Sequence, residues 1–308
     1  MAMAIDADIL IDRRRLKRRL LFWRTLAIVV VVALTAVALG RFGGFDGLGS
    51  SDYIARLSVT GVIVDDERRH RLLARIAEDR NVKALIVRID SPGGTVVGGE
   101  ALHASIRSVA EKKPVVALMG QVATSAGYMV AIAAVRIFAH KATITGSIGV
   151  LLQTTELTGL LGKLGIATEA IKSGPLKAAP SPFEPMTSEV RRVTRALVAD
   201  IHKIFVSLVA QRRALDLEDL RPLVDGRVFT GVAAVRNRLI DAIGGEAEAK
   251  AWLNEERDID RGLRVRDVKP TGRVGQWFDF LDALDRKTAF SERLTLDGLV
   301  SVWHPVLR

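Results

Sequence analysis

The sequence predicts an α/β protein built on a mostly parallel sheet with crossover helices, preceded by one N-terminal transmembrane helix. Three observations carry this expectation. Short apolar runs, Ala84–Ile89 (ALIVRI) and Val115–Met119 (VVALM), read as strands buried on both faces. Segments with apolar residues at helical spacing alternate with them, as in βαβ units. Near the N-terminus, Leu26–Leu39 (LAIVVVVALTAVAL) carries no charge.

That uncharged stretch alone would make a helix of ~21 Å, short of a ~30 Å hydrocarbon core. Starting at Leu20 lengthens it to ~30 Å and includes only Arg24, near enough to the end to snorkel. Eight basic residues up to Arg41 face three acidic ones, and Arg13–Arg19 precede the span. The positive-inside rule then keeps the N-terminus in the cytoplasm and exports the bulk of the chain. A cleaved signal peptide is the alternative, since Ala36-Val37-Ala38 has the small-x-small form of a cleavage site. The expected organisation is a basic N-terminus (1–19), an anchor (20–40), a Gly/Ser-rich linker (41–52), a main domain (53–250) and an extension (251–308) to which no role attaches.

Within the main domain, Tyr53–Val64 alternates and reads as a strand bent at Thr60-Gly61. Asp66–Arg80 is expected to be helical, with Leu72, Leu73 and Ile76 on one face. Ala84–Ile89 runs into the turn-like Asp90-Ser91-Pro92-Gly93-Gly94, and Val97–Ala110 reads as a helix. Val115–Met119 leads to Val122–Tyr128, and small residues continue through Ala134. Ile137–Ala139 and Ile144–Leu152 read as short strands, Leu157–Leu164 as a helix, Thr168–Ile171 as extended and Gly174–Pro185 as a proline-rich loop. Val190–Leu208 is amphipathic, apolar at 190, 193, 197, 201, 204 and 208.

Composition excludes several classes. The chain of 308 residues has no cysteine, so it holds no disulfide, thiolate metal site or cysteine nucleophile. Its charge of +10 is half confined to the first 41 residues, and aromatics make up 5%. Both argue against a nucleic-acid surface. No metal or cofactor motif is present: GGTVVGG lacks the P-loop lysine and the GxGxxG spacing.

The stretch that points to chemistry is VATSAGY, with Ser125 where a buried strand meets a helix. A hydroxyl there lies near helical N–H groups and the positive end of the helix dipole, which suits a nucleophile whose reaction passes through an oxyanion. Such a serine needs a base. None of His70, His103, His140, His202 and His304 lies in a segment of catalytic kind. A lysine works as base only when neutral. From ~10.4 its pKa must fall by roughly 3, worth ~4 kcal/mol, to act near pH 7–8. Burial among apolar groups away from carboxylates does that. Lys177 lies in GPLKAAP, with no acid between Glu169 and Glu184, and Lys172 is its competitor. Gly93-Gly94, directly after a strand, can turn backbone N–H groups toward an oxyanion; a plain strand-to-helix turn is the alternative.

RIDSPGG (88–94), ATSAGY (123–128), TGSIGV (145–150), IKSGPLKAAPSPF (171–183) and DGRVFTG (225–231) together resemble the signal peptide peptidase A family, from about Tyr53 to Gly245. These are membrane-anchored serine peptidases related to the ClpP/crotonase fold, and the single set of motifs resembles the short form. The resemblance implies Ser125 as nucleophile, Lys177 as general base, an oxyanion hole from Gly93, Gly94 and the N–H of Ala126, and Ser147 as the serine that orients the lysine. It implies no cofactor and a homo-oligomeric ring, an octamer in the family, in which adjacent protomers supply serine and lysine. It further implies signal-peptide remnants as peptide substrates, misfolded exported chains as further ones, and a catalytic domain on the outer face of the inner membrane. Three other readings stay open: an envelope serine peptidase with different substrates, a non-catalytic membrane scaffold of the same fold, and an acyl-CoA enzyme of the crotonase type. The last lacks a catalytic carboxylate in the motifs.

Overall fold

A computed structural model describes residues 19–32, 52–270 and the backbone of 300–302. The chain divides into two units, residues 1–51 and 52–308. In the first, residues 19–32 form helix α1. Its apolar side chains, among them Leu21, Phe22, Trp23, Ile28 and Val31, are all exposed. Among the described residues no helix is long and apolar enough to cross a membrane. The expected span of 20–40 lies partly outside them.

The second unit is a mixed α/β fold around one nine-stranded sheet. Three long strands make its centre: β1 (Tyr53–Ile63), β2 (Val82–Thr95) and β3 (Val115–Thr124). They pair in parallel, β1 with β2 and β2 with β3. Each crossover carries a helix, α2 (Glu67–Glu78) and α3 (Val96–Ala110). Both start on side-chain caps. Asp66 accepts from the Arg68 N–H, and the Thr95 hydroxyl accepts from the Gly98 N–H. The core lies between the sheet and these helices, with Leu57, Leu73, Leu85, Ile89, Leu102 and Ile106 fully buried.

β2 and β3 both outrun their apolar letters. A register break follows Ile89 in β2, and β1 breaks register between Thr60 and Val62. Beyond the breaks the strands continue through SPGGT and GQVAT. Backbone pairing needs no apolar side chain, so the ladder persists where the sequence reads as a turn. β3 also changes partners. Val116–Met119 pairs with β4 (Arg136–Ala139), whereas Val122–Thr124 pairs with β5 (Ile144–Gly146). The sheet therefore splits at Gly120-Gln121, and Ser125 lies just past the split.

Helix α4 (Ala126–Ala131) follows. Then come α5 (Thr158–Lys163), the long α6 (Ser188–Arg213) and α7 (Leu217–Leu220). β6 (Val228–Thr230), α8 (Gly231–Arg236), β7 (Ala242–Ile243) and α9 (Glu246–Arg257) complete the body. Of the stretch 144–152 only Ile144–Gly146 is strand, because Gly146 and Ser147 both take positive φ. Residues 168–171 form no strand. The region beyond 250 is not wholly separate: α9 continues to Arg257, and β8 (Arg264–Val268) extends the sheet beside β1. A last strand, β9 (Val300–Val302), pairs antiparallel with β2.

The end of α6 locks α4 in place. Arg212 donates from Nε to the Ile132 carbonyl at 2.8 Å and from a terminal nitrogen to the Ala134 carbonyl at 3.3 Å. These guanidinium bonds satisfy carbonyls past the end of α4 and set positive charge at the negative end of its dipole. Tyr128 donates to the Leu239 carbonyl at 2.8 Å from full burial.

The tightest backbone approach is at Gly94. A Cβ there would lie 1.8 Å from the Ile63 carbonyl oxygen. Gly94→Ala is expected to destabilise the domain by ~3 kcal/mol or more, since backbone rather than a flexible side chain must give way. A urea midpoint unchanged from the native protein would contradict this packing.

Candidate active site

Ser125 is the junction between β3 and α4. It is 1% exposed and holds φ 56°, ψ −120°. A non-glycine residue at positive φ costs ~1–3 kcal/mol and persists only where its surroundings enforce it. Here its N–H donates to the Gly146 carbonyl at 2.9 Å, and its carbonyl accepts from the Met129 N–H at 2.9 Å. The hydroxyl caps no helix N–H. The first-turn N–H groups of α4, beginning at Ala126, lie beside it without intrahelical partners.

Hydrogen bonds stitch the other motifs to this point. The Val122 N–H donates to Asp90 Oδ1 at 3.1 Å, and the Thr124 hydroxyl donates to the Pro92 carbonyl at 2.9 Å. The Thr145 hydroxyl donates to the Ala123 carbonyl at 2.7 Å. A Cβ on Gly127 would come within 3.0 Å of the Ser91 carbonyl oxygen, so α4 packs against SPGG with no room to spare. The segments 90–94, 122–128 and 145–147 thus converge. Ser147 follows the carbonyl that holds Ser125, is half-buried and adopts φ 50°.

Gly93 and Lys177 sit in the structure as follows. The Gly93 N–H is already engaged, donating to Ser91 Oγ at 3.1 Å. Ser91 is fully buried and donates to the Gly61 carbonyl at 2.6 Å. It therefore fixes the glycine turn, a role the sequence reading missed although Ser91 stands inside the motif. Lys177 is not buried within its own chain. It lies exposed in a turn closed by its N–H on the Gly174 carbonyl at 3.1 Å, and no hydrogen bond joins it to Ser125. The loop around it does not pack on the sheet: Ile171 is 97% exposed, and Leu176 and Phe183 are exposed too. Lys172, the rival, is committed to an ion pair with Glu184.

Neither His70 nor His103 supplies a base. His70 lies between Ser105 Oγ at 2.8 Å and Asp65 Oδ1 at 2.7 Å, which superficially looks like a triad. The Ser105 proton, however, goes to the Ala101 carbonyl. Ser105 must then accept from His70 Nδ1, the reverse of what an activated serine does. His103 lines an apolar cavity of about 540 Å³ between α3, α4 and α6, with Val96, Met129, Val150, Ile204 and Leu208. Burial, then the charges of Arg212 and Arg107, push its pKa down to about 4. Among the described residues no cluster of His, Asp and Glu could hold a metal.

A strained, buried serine at a strand-to-helix junction, with helix N–H groups at hand, is a candidate nucleophile. Comparison with known proteins points to a peptidase. The model for peptidase family S49 matches residues 107–260. A Synechocystis protein named as a protease is 40% identical over 222 residues, covering 70% of this chain and 80% of its own length. An Enterococcus faecium protein named signal peptide peptidase SppA is 32% identical over 243 residues, covering 74% of this chain and 71% of its own. The chloroplastic serine protease SPPA of Arabidopsis thaliana is 32% identical over 248 residues, 79% of this chain but 36% of that longer protein. The chain belongs to peptidase family S49, in keeping with the resemblance to signal peptide peptidase A.

His103 gives the site's surroundings a pH dependence. The unfolded chain binds this proton near ~6.5 and the folded one near about 4, so stability is full above ~6.5 and falls as pH drops toward 4. His103→Leu is expected to remove up to ~3 kcal/mol of that acid-side loss relative to the native protein. Parallel urea-unfolding curves for the two proteins from pH 7 to pH 4 would contradict it.

Proposed function

We propose that this S49 peptidase is a membrane-anchored serine endopeptidase that uses Ser125 and Lys177 and acts on peptides left in or near the membrane, signal-peptide remnants foremost. The observation that carries the reading is Ser125 itself. Its strained backbone is enforced from both sides at the N-terminus of a buried helix, and nothing in the packing needs a serine there.

Lys177, as general base, takes the Ser125 proton as Oγ attacks the peptide carbonyl. The Ala126 N–H and the Gly93-Gly94 turn face the oxyanion, and with the Gly93 N–H engaged by Ser91 the donor of choice on that turn is Gly94. The lysine returns the proton to the leaving amine. Water, deprotonated by the same lysine, then hydrolyses the acyl-enzyme. Ser147 holds the amine in line. The cavity bordered by Val96 and Met129 takes a small or apolar substrate side chain.

Lys177 reaches a serine by assembly. Its own segment and α6 expose Leu160, Leu164, Ile171, Phe183, Leu197 and Ile204. An apolar surface of that kind is suited to a second copy of the chain. A closed ring would bring the lysine of one protomer to the serine of the next. The apolar α1 continues into the uncharged stretch 33–39, which supports an anchor over 20–40 with the catalytic unit on the outer face.

Ser125→Ala and Lys177→Ala are each expected to abolish hydrolysis of a synthetic signal peptide. Mixed assemblies of the two dead variants should regain activity at roughly a quarter of the sites by random assortment of protomers. Absence of recovery in verified mixed assemblies would place both groups in one chain or remove Lys177 from the mechanism.

A further inference from the structure

A second cavity, of about 630 Å³, lies along α6 from Arg191 to His202, against residues 149–154. Its size falls within the ~300–1,000 Å³ of ligand pockets. The wall at 149–154 follows directly on the TGSIG segment, whose Gly146 carbonyl holds the Ser125 N–H. Val150 lines both this cavity and the one beside Met129, so the two adjoin. Leu152, Met186, Val198 and Val224 give it apolar sides. Arg191 and Arg195, one turn apart on the same face of α6, line it together with Thr194. These two arginines differ from the other basic groups of their helix. Arg192 pairs with Glu189, Lys203 with Asp200 and Arg213 with Asp241, and Arg212 is bound to the carbonyls past α4. Among the described residues neither Arg191 nor Arg195 meets a carboxylate. Asp225, the acidic group in the lining, accepts from Arg227 on both oxygens, at 2.8 and 2.6 Å. His202 lines the same cavity with its Nε2 buried and, among the described residues, without a partner.

We propose that this cavity takes the C-terminal carboxylate of an apolar peptide, with Arg191 and Arg195 holding the carboxylate and the apolar walls holding the last side chain. The proposal rests on the peptidase reading and names its substrate class: apolar peptides whose chain ends within a few residues of the bond that Ser125 cuts. Like charges one turn apart on a helix repel, a tension that a bound anion relieves. The planar guanidinium fork matches a carboxylate in bidentate geometry, and a peptide terminus is a ligand that such a cradle can capture. A fragment released from a longer chain carries this carboxylate, whereas the interior of an intact apolar segment has none. The arginine pair therefore separates spent fragments from chains still in use, without reading their sequence.

The test uses the full-length protein in uncharged detergent at low ionic strength, where exposed charges are least screened, with Ser125→Ala so that nothing is cleaved. Its probes are one fluorescent apolar peptide with a free C-terminus and the same peptide amidated. The free acid is expected to bind about five-fold tighter or more. Arg191→Gln combined with Arg195→Gln should bring the acid down to the affinity of the amide and leave the amide unchanged. Glutamine matches arginine in helix propensity, so a loss confined to the acid reports charge and not folding. Equal binding of acid and amide by the native arginines, or a preference that survives both glutamines, would overturn the proposal. An amidated peptide ending in glutamate that binds as tightly as the free acid would overturn the assignment to a chain terminus. A second measurement separates the proposal from the peptidase reading. With Ser125 restored, kcat/KM for the acid should exceed that for the amide by the same factor, and the glutamine form should hydrolyse the two alike. Hydrolysis of both at equal kcat/KM by the native arginines would refute the site and leave the peptidase standing. The expected binding preference without hydrolysis of either peptide would keep the site and remove the peptidase.

Discussion

The backbone of Ser125 is the constraint around which the rest is arranged. A residue with a Cβ does not hold φ 56°, ψ −120° unaided. Gly146 accepts its N–H, and the hydroxyls of Thr124 and Thr145 tie β3 to Pro92 of β2 and β5 to β3. Arg212 and Tyr128 fix the far side of α4. These bonds join five regions far apart in sequence, so the strained conformation is an outcome of tertiary structure. It delivers a hydroxyl that caps nothing to a point where helix N–H groups are free.

On the proposed reading, one chain holds only part of the site. Ser125 and the helix N–H groups beside it belong to the buried centre, where the motifs 90–94, 122–128 and 145–147 meet. Lys177 belongs to a segment whose isoleucine, leucine and phenylalanine side chains are exposed in a single chain. Dividing the proposed dyad between a preformed pocket and an interface would make activity depend on assembly.

Much of this was legible in the sequence. α2 and α6 follow their apolar spacing, and the three central strands follow their apolar cores. What escaped were features that side-chain chemistry does not encode. β2 runs through Ser91-Pro92-Gly93-Gly94 because its backbone still has partners there, although those letters read as a turn. β8 is an edge strand of alternating charge, RVRDV, with Arg56 of β1 paired to Asp267; its period of two was the available signal. Within the site, Ser125 was marked by its small neighbours and strand-to-helix position. Ser91 was not, because a serine that serves by hydrogen-bonding Gly93 and Gly61 has the same letter as one that idles in a turn. The exposure of Lys177 also lay beyond reach, since its proline-rich apolar surroundings describe a buried loop and an interface equally well.

The most direct test is to locate the activated hydroxyl chemically. The full-length protein, treated with a fluorophosphonate and digested, should carry a single adduct, on Ser125. Ser91, Ser105 and Ser147 should stay free, and the adduct should disappear in Lys177→Ala while that protein keeps its assembly state. An adduct on another serine, or labelling of Ser125 that persists without Lys177, would contradict the account of an enforced nucleophile served by a lysine from the next protomer.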